Sequence, residues 1–188
     1  MAYFPVFINF DNKKILLVGG GNIAYEKLQH LLEFTKNVTL ISLEFNDNIQ
    51  KIINDNNLSY FNRAYGENDI CDFDIVIAAI DNIQLQEEIY YQTRGKNILY
   101  NCVDIKEYCD FIFPAYIKKG DLTIAISTSG ASPAFAKQFK NWLNKTIPDS
   151  VNDFLLEMKE YRKNMPKGID RMRFLEQKTK DYFTTWKK

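Results

Sequence analysis

"KKILLVGGGNIA" (residues 13–24) joins an apolar, β-branched run to three consecutive glycines and the start of a helical pattern. The run predicts a buried strand, and the apolar spacing that follows the glycines predicts a helix. Gly19, Gly21 and Ala24 fit the pattern G-x-G-x-x-A. In that pattern the first glycine allows a tight turn, the second allows close approach of a pyrophosphate, and Ala24 allows close packing. The segment predicts a dinucleotide site at the helix N-terminus, or else a tight turn without a ligand.

The alternation of strand and helix patterns continues outward from this segment to about residue 110. Strands are predicted at 13–18, 37–42, 58–63, 73–80 and 97–103, and helices at 22–34, 45–55 and 82–94. Because continuous apolar strands alternate with helices, we predict an α/β fold whose N-terminal part is a Rossmann-type parallel sheet covered on both faces. We assign this NAD-binding Rossmann domain to residues 1–112.

The pattern changes after this domain. The segment "FIFPAYIKKGDLTIAIST" (111–128) predicts two strands joined by a turn at residues 119–121, with no helix between them. Residues 132–147 predict a helix that has Ser132 as its N-cap and Pro133 at its first position. The sequence therefore predicts a β-hairpin followed directly by a helix.

The last part of the chain, residues 149–188, is charged and helical in pattern, with a break near Pro166. We assign a β-hairpin/helix dimerisation element to 113–147 and a C-terminal helical domain to 148–188. Both are too small to bury a core alone, so a homodimer is predicted; the alternative is that the tail folds back on its own sheet. The aromatic residues expected at this interface are Tyr100, Phe111, Phe113, Tyr116, Phe135, Phe139 and Trp142.

Composition limits the class of protein. The chain has 24 Lys and Arg and 24 Asp and Glu, and this balance argues against a nucleic-acid binder. No apolar run is long enough to span a bilayer, and the first residues lack the pattern of a signal peptide. The three cysteines are an odd number, which makes a disulfide framework improbable. We predict a cytoplasmic protein that binds neither nucleic acid nor membrane.

Two acids follow strands at the predicted cofactor edge of the sheet. Glu44 lies twenty residues after Ala24, where an acid commonly binds a ribose 2′-hydroxyl, and no basic residue beyond Lys36 is near it. The lack of a basic residue to pair with a 2′-phosphate favours NAD over NADP. The alternative is that Glu44 is only a solvated loop acid. Asp81 follows the fourth strand and is expected to border the dinucleotide, or to serve only as the N-cap of the next helix.

The segment "NCVDIKEYCDFIFP" (101–114) places two cysteines and several acids around the end of the fifth strand. Cys102 and Cys109 are too far apart in sequence for a zinc site and lack histidines, so no metal site is predicted. Asp104 lies at the cofactor edge, where a carboxylate can accept a proton as a hydride leaves, or it simply ends the strand. The other acids are predicted to be solvated: Glu107 and Asp110.

The segment "STSGASP" (127–133) leads into the predicted helix at 132–147. Its hydroxyls and free N–H groups can bind carboxylates; the simpler alternative is a capped turn. We call Ser127, Thr128 and Ser129 the hydroxyl loop. The lysines on either side suit a polyanionic ligand: Lys118, Lys119, Lys137 and Lys140.

Four segments of the chain closely resemble precorrin-2 dehydrogenases, which also form the N-terminal module of siroheme synthases. They are "FPVFINFDNKKILLVGGGNIA" (4–24), "DIVIAAIDN" (74–82), "NCVDIKEYCDFIFPA" (101–115) and "LTIAISTSGASPAFAKQF" (122–139). The resemblance covers about residues 3–147. The strand end with its aspartate and the hydroxyl loop are specific to this family rather than general to Rossmann domains.

The resemblance implies NAD-dependent oxidation of precorrin-2 to sirohydrochlorin by a homodimer. It implies that Asn22, Ile23, Leu43 and Glu44 contact NAD and that Asp104 is tied to catalysis. It also implies that the hydroxyl loop binds substrate. We assign Lys137 to the same substrate site. The chain departs from the family where "SLEF" (42–45) replaces a segment that usually contains proline, and where a threonine replaces a frequent serine in the hydroxyl loop.

Two alternatives remain open from the sequence. Some members of this family also insert a metal into sirohydrochlorin, which would require transient contact with Fe²⁺ or Co²⁺ and a second role for Asp104. The other alternative is a non-enzymatic Rossmann module that senses NAD. The neutral charge and the specific match over 101–133 argue against this second alternative.

Overall fold

The computed structural model describes residues 3–103 and 105–186. It divides into two compact units, Tyr3–Ile112 and a second unit that begins at Phe113. Within these described residues, the first unit carries a five-stranded parallel sheet, and the second an antiparallel hairpin with three helices. The predicted α/β fold is confirmed. No described helix has the length and apolar character required to cross a membrane.

The first unit alternates strands and helices along the chain. Its elements are β1 (Ile15–Val18), α1 (Asn22–Leu32), β2 (Val38–Ser42), α2 (Asp47–Asn56), β3 (Ser59–Asn62), β4 (Ile75–Ala78), α3 (Ile83–Thr93) and β5 (Leu99–Cys102). The strands lie in the order β3-β2-β1-β4-β5, and all four pairings are parallel. Because β1 is central, the carboxyl ends of β2 and β4 flank the glycine turn that follows it.

Burial explains why the strands differ in sequence. Every residue of β1 and β4 is buried, so these strands read as continuous apolar runs, whereas every residue of the edge strand β3 is exposed. Tyr100 on β5 is fully buried and packs with Val18, Val76 and Ile89. The prediction that Tyr100 belongs to a dimer interface is therefore wrong, because its ring forms part of the core of the first unit.

The second unit contains β6 (Ala115–Lys119), β7 (Leu122–Ile126), α4 (Pro133–Thr146), α5 (Val151–Asn164) and α6 (Ile169–Thr184). Ile117, Ile147 and Val151 form its small core, against which Leu155 and Tyr182 pack. Residues of the helical tail thus pack on the hairpin of their own chain, while the predicted homodimer stays a prediction. The boundary predicted between residues 147 and 148 falls within this core.

Candidate functional site

The first glycine after β1 is held against the neighbouring strand end. Gly19 has a φ of +132°, and a Cβ added there would lie 2.2 Å from the carbonyl oxygen of Ala79, just after β4. No side chain fits at that distance, and few residues other than glycine adopt that φ. This geometry supports the tight-turn role predicted for Gly19.

Gly20 has a steric role that the sequence pattern did not reveal, because it occupies a variable position between the two pattern glycines. A Cβ on Gly20 would lie 1.8 Å from the carbonyl oxygen of Glu44 and 2.7 Å from the hydroxyl of Ser42. The Gly20 carbonyl also accepts a 2.9 Å hydrogen bond from the Asn46 N–H. The turn is therefore docked on the segment that follows β2, and the only sequence signal for this was the third adjacent glycine.

Gly21 differs from both, because nothing lies within 4 Å of a Cβ added there. α1 begins directly after it, and no side chain among the described residues caps the helix. In contrast, Asn46 and Asn82 cap α2 and α3 by accepting hydrogen bonds of 2.9 and 3.0 Å from backbone N–H groups. The α1 N-terminus therefore keeps unpaired N–H donors beside open space, which suits a phosphate group.

The residues expected to contact NAD surround this N-terminus. Ile23 and Leu43 are exposed although they are apolar, and Asn22 is exposed as well. The Asn22 side-chain oxygen accepts a 3.1 Å hydrogen bond from Asn46, which links the start of α1 to the start of α2. The structure thus brings Asn22, Ile23 and Leu43 to one edge of the sheet, where their contacts with a cofactor stay a prediction.

Glu44 follows β2 at the same edge, and its side chain is exposed. Its carboxylate makes no hydrogen bond or ion pair with any residue that the structure describes. The backbone beside it is held by Asn62, whose amide donates to the carbonyl oxygens of Ser42 and Leu43. The carboxylate is thus available to a ribose hydroxyl, and the open turn, the uncapped helix and this acid together fit a dinucleotide.

Asp81 lies just after β4, exposed, at the carboxyl edge of the sheet. The N-cap of α3 is the next residue, Asn82, whose side chain accepts from the Leu85 N–H at 3.0 Å. The alternative that Asp81 is only a helix cap is therefore wrong. Its predicted place beside the cofactor remains a prediction.

The loop after β5 contains the predicted catalytic residue, Asp104, which lies outside the described residues. The base of the loop is closed by Asp110, whose N–H donates to the Tyr100 carbonyl at 2.8 Å. The Asp110 carboxylate accepts from the Tyr100 N–H at 2.8 Å and from the Arg94 guanidinium at 2.9 and 2.7 Å. The end of the loop is thereby tied both to β5 and to the residue that follows α3.

Asp110 is therefore not the solvated acid that the sequence suggested. Burial disfavours its charged form, but the hydrogen bonds from Arg94 and from the Tyr100 N–H outweigh burial and lower the pKa of the carboxyl. The sequence lacked a signal for this role, because Arg94 is sixteen residues away and lies after a different element.

A second contact holds the middle of the same loop. The Tyr108 ring stacks on the Tyr90 ring of α3 with centroids 4.6 Å apart, and its hydroxyl donates a 2.6 Å hydrogen bond to Glu87. That hydrogen bond raises the pKa of Tyr108 to about 12. Together with the hydrogen bonds of Asp110, this stacking holds the loop against α3.

Asn101 is a residue that the sequence reasoning missed. It is nearly fully buried on β5, and its side-chain N–H donates to the Phe111 carbonyl at 2.8 Å. Its side-chain oxygen is buried and has no hydrogen-bond partner among the described residues. A buried acceptor without a donor is costly, so Asn101 is a candidate to receive a donor from a ligand. The available signal was a polar residue inside an apolar strand.

The two cysteines of this loop lie side by side. Cys102 is buried, and its Sγ lies 3.7 Å from the Sγ of Cys109. In the part of the chain that the structure describes, no group of three or more histidine, cysteine or acidic side chains is placed to hold a metal ion. Within the described residues, the two thiols therefore form a pair and not part of a metal site.

The hydroxyl loop precedes α4 in the second unit. The Ser127 hydroxyl oxygen accepts from the Ser129 N–H, and the Thr128 hydroxyl oxygen accepts from the Ser132 N–H, both at 3.1 Å. Ser132 caps α4 by accepting from the Phe135 N–H at 3.1 Å, as predicted. The loop is therefore a capped turn, but each hydroxyl still has its own O–H to donate to a carboxylate.

The flanking lysines are not equivalent. Lys119 donates to the Ile147 carbonyl at 2.7 Å and pairs with Asp149 at 2.7 Å, so it secures the end of α4 rather than awaiting an anion. Lys137 is exposed on α4 and forms no ion pair within the described residues. The structure removes Lys119 from the predicted set and leaves Lys137 available.

Comparison with known proteins identifies two family models in this chain. Residues 6–115 match a model described as putative NAD(P)-binding, and residues 119–145 match one described as sirohaem biosynthesis protein central. The solved structure of "SirC, precorrin-2 dehydrogenase" is similar in fold, with a TM-score of 0.81 and 21% identity over 93% of this chain and 88% of that chain.

Curated relatives named siroheme synthase are similar to most of this chain. The protein from Ruthia magnifica subsp. Calyptogena magnifica is 34% identical over 79% of this chain, which is 31% of the relative. The protein from Pseudoalteromonas translucida strain TAC 125 is 31% identical over 80% of this chain and 32% of its own length. The chain thus spans about a third of these relatives. Because the first model covers more than half of the chain, the chain belongs to the putative NAD(P)-binding family whose modules occur in siroheme synthases.

Proposed function

We propose that this protein oxidises precorrin-2 to sirohydrochlorin with NAD⁺ as the hydride acceptor. The observation that carries the proposal is the uncapped N-terminus of α1, which lies beside open space at Gly21. A dinucleotide site of this form, in a chain that resembles siroheme synthases, supports a redox step in siroheme formation.

The residues of the first unit provide for the cofactor. The unpaired N–H groups at the start of α1 bind the pyrophosphate, and the Glu44 carboxylate accepts a hydrogen bond from a ribose hydroxyl. A carboxylate at this position repels the 2′-phosphate of NADP, so NAD is the proposed cofactor. When bound, the nicotinamide supplies the hydride acceptor. Asp81 and Asn101 lie at or near the carboxyl ends of β4 and β5 and are candidates to orient it.

The substrate carries several carboxylates, and the proposed binding residues supply donors and positive charge. Ser127, Thr128 and Ser129 donate through O–H groups that the turn itself does not use. Lys137 supplies a cation on the adjoining helix. Oxidation of a ring carbon releases a proton together with the hydride, and Asp104 is proposed to accept that proton.

The same proposal includes a homodimer. Phe135, Phe139 and Trp142 form an aromatic ridge along α4, with successive rings stacked at centroid distances of 5.8 and 5.6 Å. The three rings are 59%, 37% and 57% exposed, and an exposed aromatic patch of this kind is typical of a protein–protein interface. In sedimentation velocity we expect a dimer of the native chain and a monomer of the doubly substituted Phe135→Ser, Trp142→Ser chain. A native chain that stays monomeric at every concentration contradicts this part of the proposal.

Anaerobic incubation with NAD⁺ and freshly generated precorrin-2 tests the activity. We expect equal rates of NADH formation and sirohydrochlorin formation, followed by absorbance. An Asp104→Asn variant should lose about a hundredfold or more in turnover while its NAD affinity is unchanged. Tight NAD binding without NADH formation would instead support the non-enzymatic module. A parallel sample with sirohydrochlorin and Fe²⁺ measures metal insertion separately.

A further inference from the structure

The thiols of Cys102 and Cys109 converge in the loop after β5. Their Sγ atoms are 3.7 Å apart, and both approach the Ile105 carbonyl oxygen, at 3.1 and 3.4 Å. The Cys109 Sγ also accepts from the Cys102 N–H at 3.3 Å and lies 3.2 Å from the Cys102 carbonyl oxygen. The loop therefore folds so that two residues seven positions apart meet through their sulfur atoms.

This separation is short enough for a covalent bond after a small movement. Sulfur atoms in a disulfide lie about 2.05 Å apart, so the pair must close by about 1.7 Å to form the bond. The neighbouring backbone is well held, because Asp110 ties the end of the loop to Tyr100 and Arg94. The two thiols are thus positioned by the fold rather than by chance mobility.

We propose that Cys102 and Cys109 form a reversible disulfide when the protein meets a hydroperoxide, so that the loop is a thiol-oxidation site. The disulfide closes a loop of eight residues, 102–109, that contains position 104. A disulfide with a partly exposed sulfur is more readily reduced than a fully buried structural one, so we expect this bond to be reversible. The site itself does not depend on the proposed function; its effect on turnover does.

The two cysteines have different parts in the reaction because they differ in exposure. Cys102 is 5% exposed, whereas Cys109 is half-buried, so the peroxide reaches Cys109 first. The Cys109 thiolate attacks the peroxide oxygen, the O–O bond breaks, and a sulfenic acid and an alcohol or water result. The Cys102 sulfur then attacks the sulfenic sulfur, and the sulfenic oxygen leaves as water while the disulfide forms. The peroxide is reduced by two electrons, and the two thiols are oxidised.

Counting thiols in the whole chain tests the site without reference to any activity. Reduced protein is treated with hydrogen peroxide, denatured and titrated; the native chain should fall from three titratable thiol groups to one. The Cys71→Ser variant, whose altered residue is exposed and distant in sequence, should fall from two to none. The Cys109→Ser variant should form no intramolecular disulfide. Peptide mapping should show 102 linked to 109, and dithiothreitol should restore every thiol. The proposal would be overturned if the Cys71→Ser variant kept both thiols after peroxide treatment. It would also be overturned if peptide mapping showed a disulfide through Cys71.

A second measurement tests the regulatory consequence. NADH formation from precorrin-2 should fall by about tenfold or more on oxidation, since a misplacement of roughly 1 Å at a reacting group can cost a hundredfold. It should recover with dithiothreitol, and the Cys109→Ser enzyme should resist peroxide. If neither the reduced nor the oxidised protein forms NADH, the proposed function fails while the thiol count still decides the site. If oxidised enzyme keeps full activity, the regulatory role is excluded.

Discussion

The glycine turn before α1 and the hydroxyl loop before α4 both lead the chain into a helix N-terminus, one in each unit. Before α1 the turn consists of glycines, and no described side chain caps the helix. Before α4 the Ser132 side chain caps the helix, and the hydroxyls of Ser127 and Thr128 accept from the loop backbone. The two junctions therefore offer different groups to a ligand, although both have N–H donors at a helix start.

The difference indicates how each junction recognises an anion. An uncapped N-terminus presents backbone N–H groups, whose positions are fixed by the path of the chain and suit an invariant group such as a pyrophosphate. A capped N-terminus has already used one N–H donor, so recognition passes to the O–H groups of side chains. Substitutions at the first junction should therefore act through the path of the backbone. Substitutions at the second should act through the hydrogen bonds of side-chain hydroxyls.

Gly20→Ala should have the largest effect, because its Cβ would lie 1.8 Å from the Glu44 carbonyl oxygen and the backbone must move. We expect a loss of about 3 kcal/mol or more in the free energy of unfolding, with NAD binding abolished. Urea denaturation measures the first quantity and calorimetric titration the second. Normal stability of this variant would show that the turn is not docked on the segment after β2.

Gly21→Ala is the matched control for the first junction, because nothing lies within 4 Å of the added Cβ. The free energy of unfolding should change by less than about 1 kcal/mol. The dissociation constant for NAD should rise by roughly tenfold, because the new methyl group occupies the space that a pyrophosphate needs. Unchanged NAD affinity would remove Gly21 from the predicted cofactor site.

Each unit contains an aspartate ion pair, so the two units can also be compared by how these pairs contribute to stability at different pH. Asp110 is held by Arg94 and a backbone N–H, whereas Asp149 pairs with Lys119 and its side chain is 100% exposed. We expect Asp110→Asn to cost about 1 kcal/mol at neutral pH and Asp149→Asn to have no measurable effect.

The pKa of Asp110 is lower in the folded chain than in the unfolded chain. Its contribution to stability is therefore present above about pH 4 and is lost as the pH falls through the folded value. The difference between native chain and Asp110→Asn should disappear in acid, as measured by urea denaturation across pH. A difference that grows in acid would contradict the ion-pair assignment.

Substitutions at the second junction, the hydroxyl loop before α4, should change stability by smaller amounts. Ser132→Ala should lower stability by roughly 0.5 to 1 kcal/mol, because the Phe135 N–H loses its acceptor. Ser129→Ala should change stability by less than about 0.5 kcal/mol, since the Ser129 hydroxyl has no partner among the described residues, while the KM for precorrin-2 should rise. Thermal unfolding and initial rates measure the two effects. An unchanged KM would remove Ser129 from the predicted substrate site.

Local sequence patterns were sufficient for the elements of the fold. The strand and helix patterns led to β1–β7 and α1–α6, and even the N-cap and first residue of α4 were predicted correctly. Such patterns work because burial on both faces makes a strand a continuous apolar run, whereas burial of one face gives a helix an apolar period of 3.6. The positions of Gly19, Glu44 and Asp81 at one sheet edge followed from the rule that parallel strands share their carboxyl ends.

The sequence by itself determined the parallel sheet, the glycine turn and the class of cofactor, because these depend on residues close together in the chain. Only the tertiary structure decided that Gly20 lies against Glu44, that Asp110 pairs with Arg94, and that Lys119 is already occupied. It also decided which aromatic residues are core and which remain exposed. These contacts join residues that no local pattern relates, so they exist only once the chain has folded.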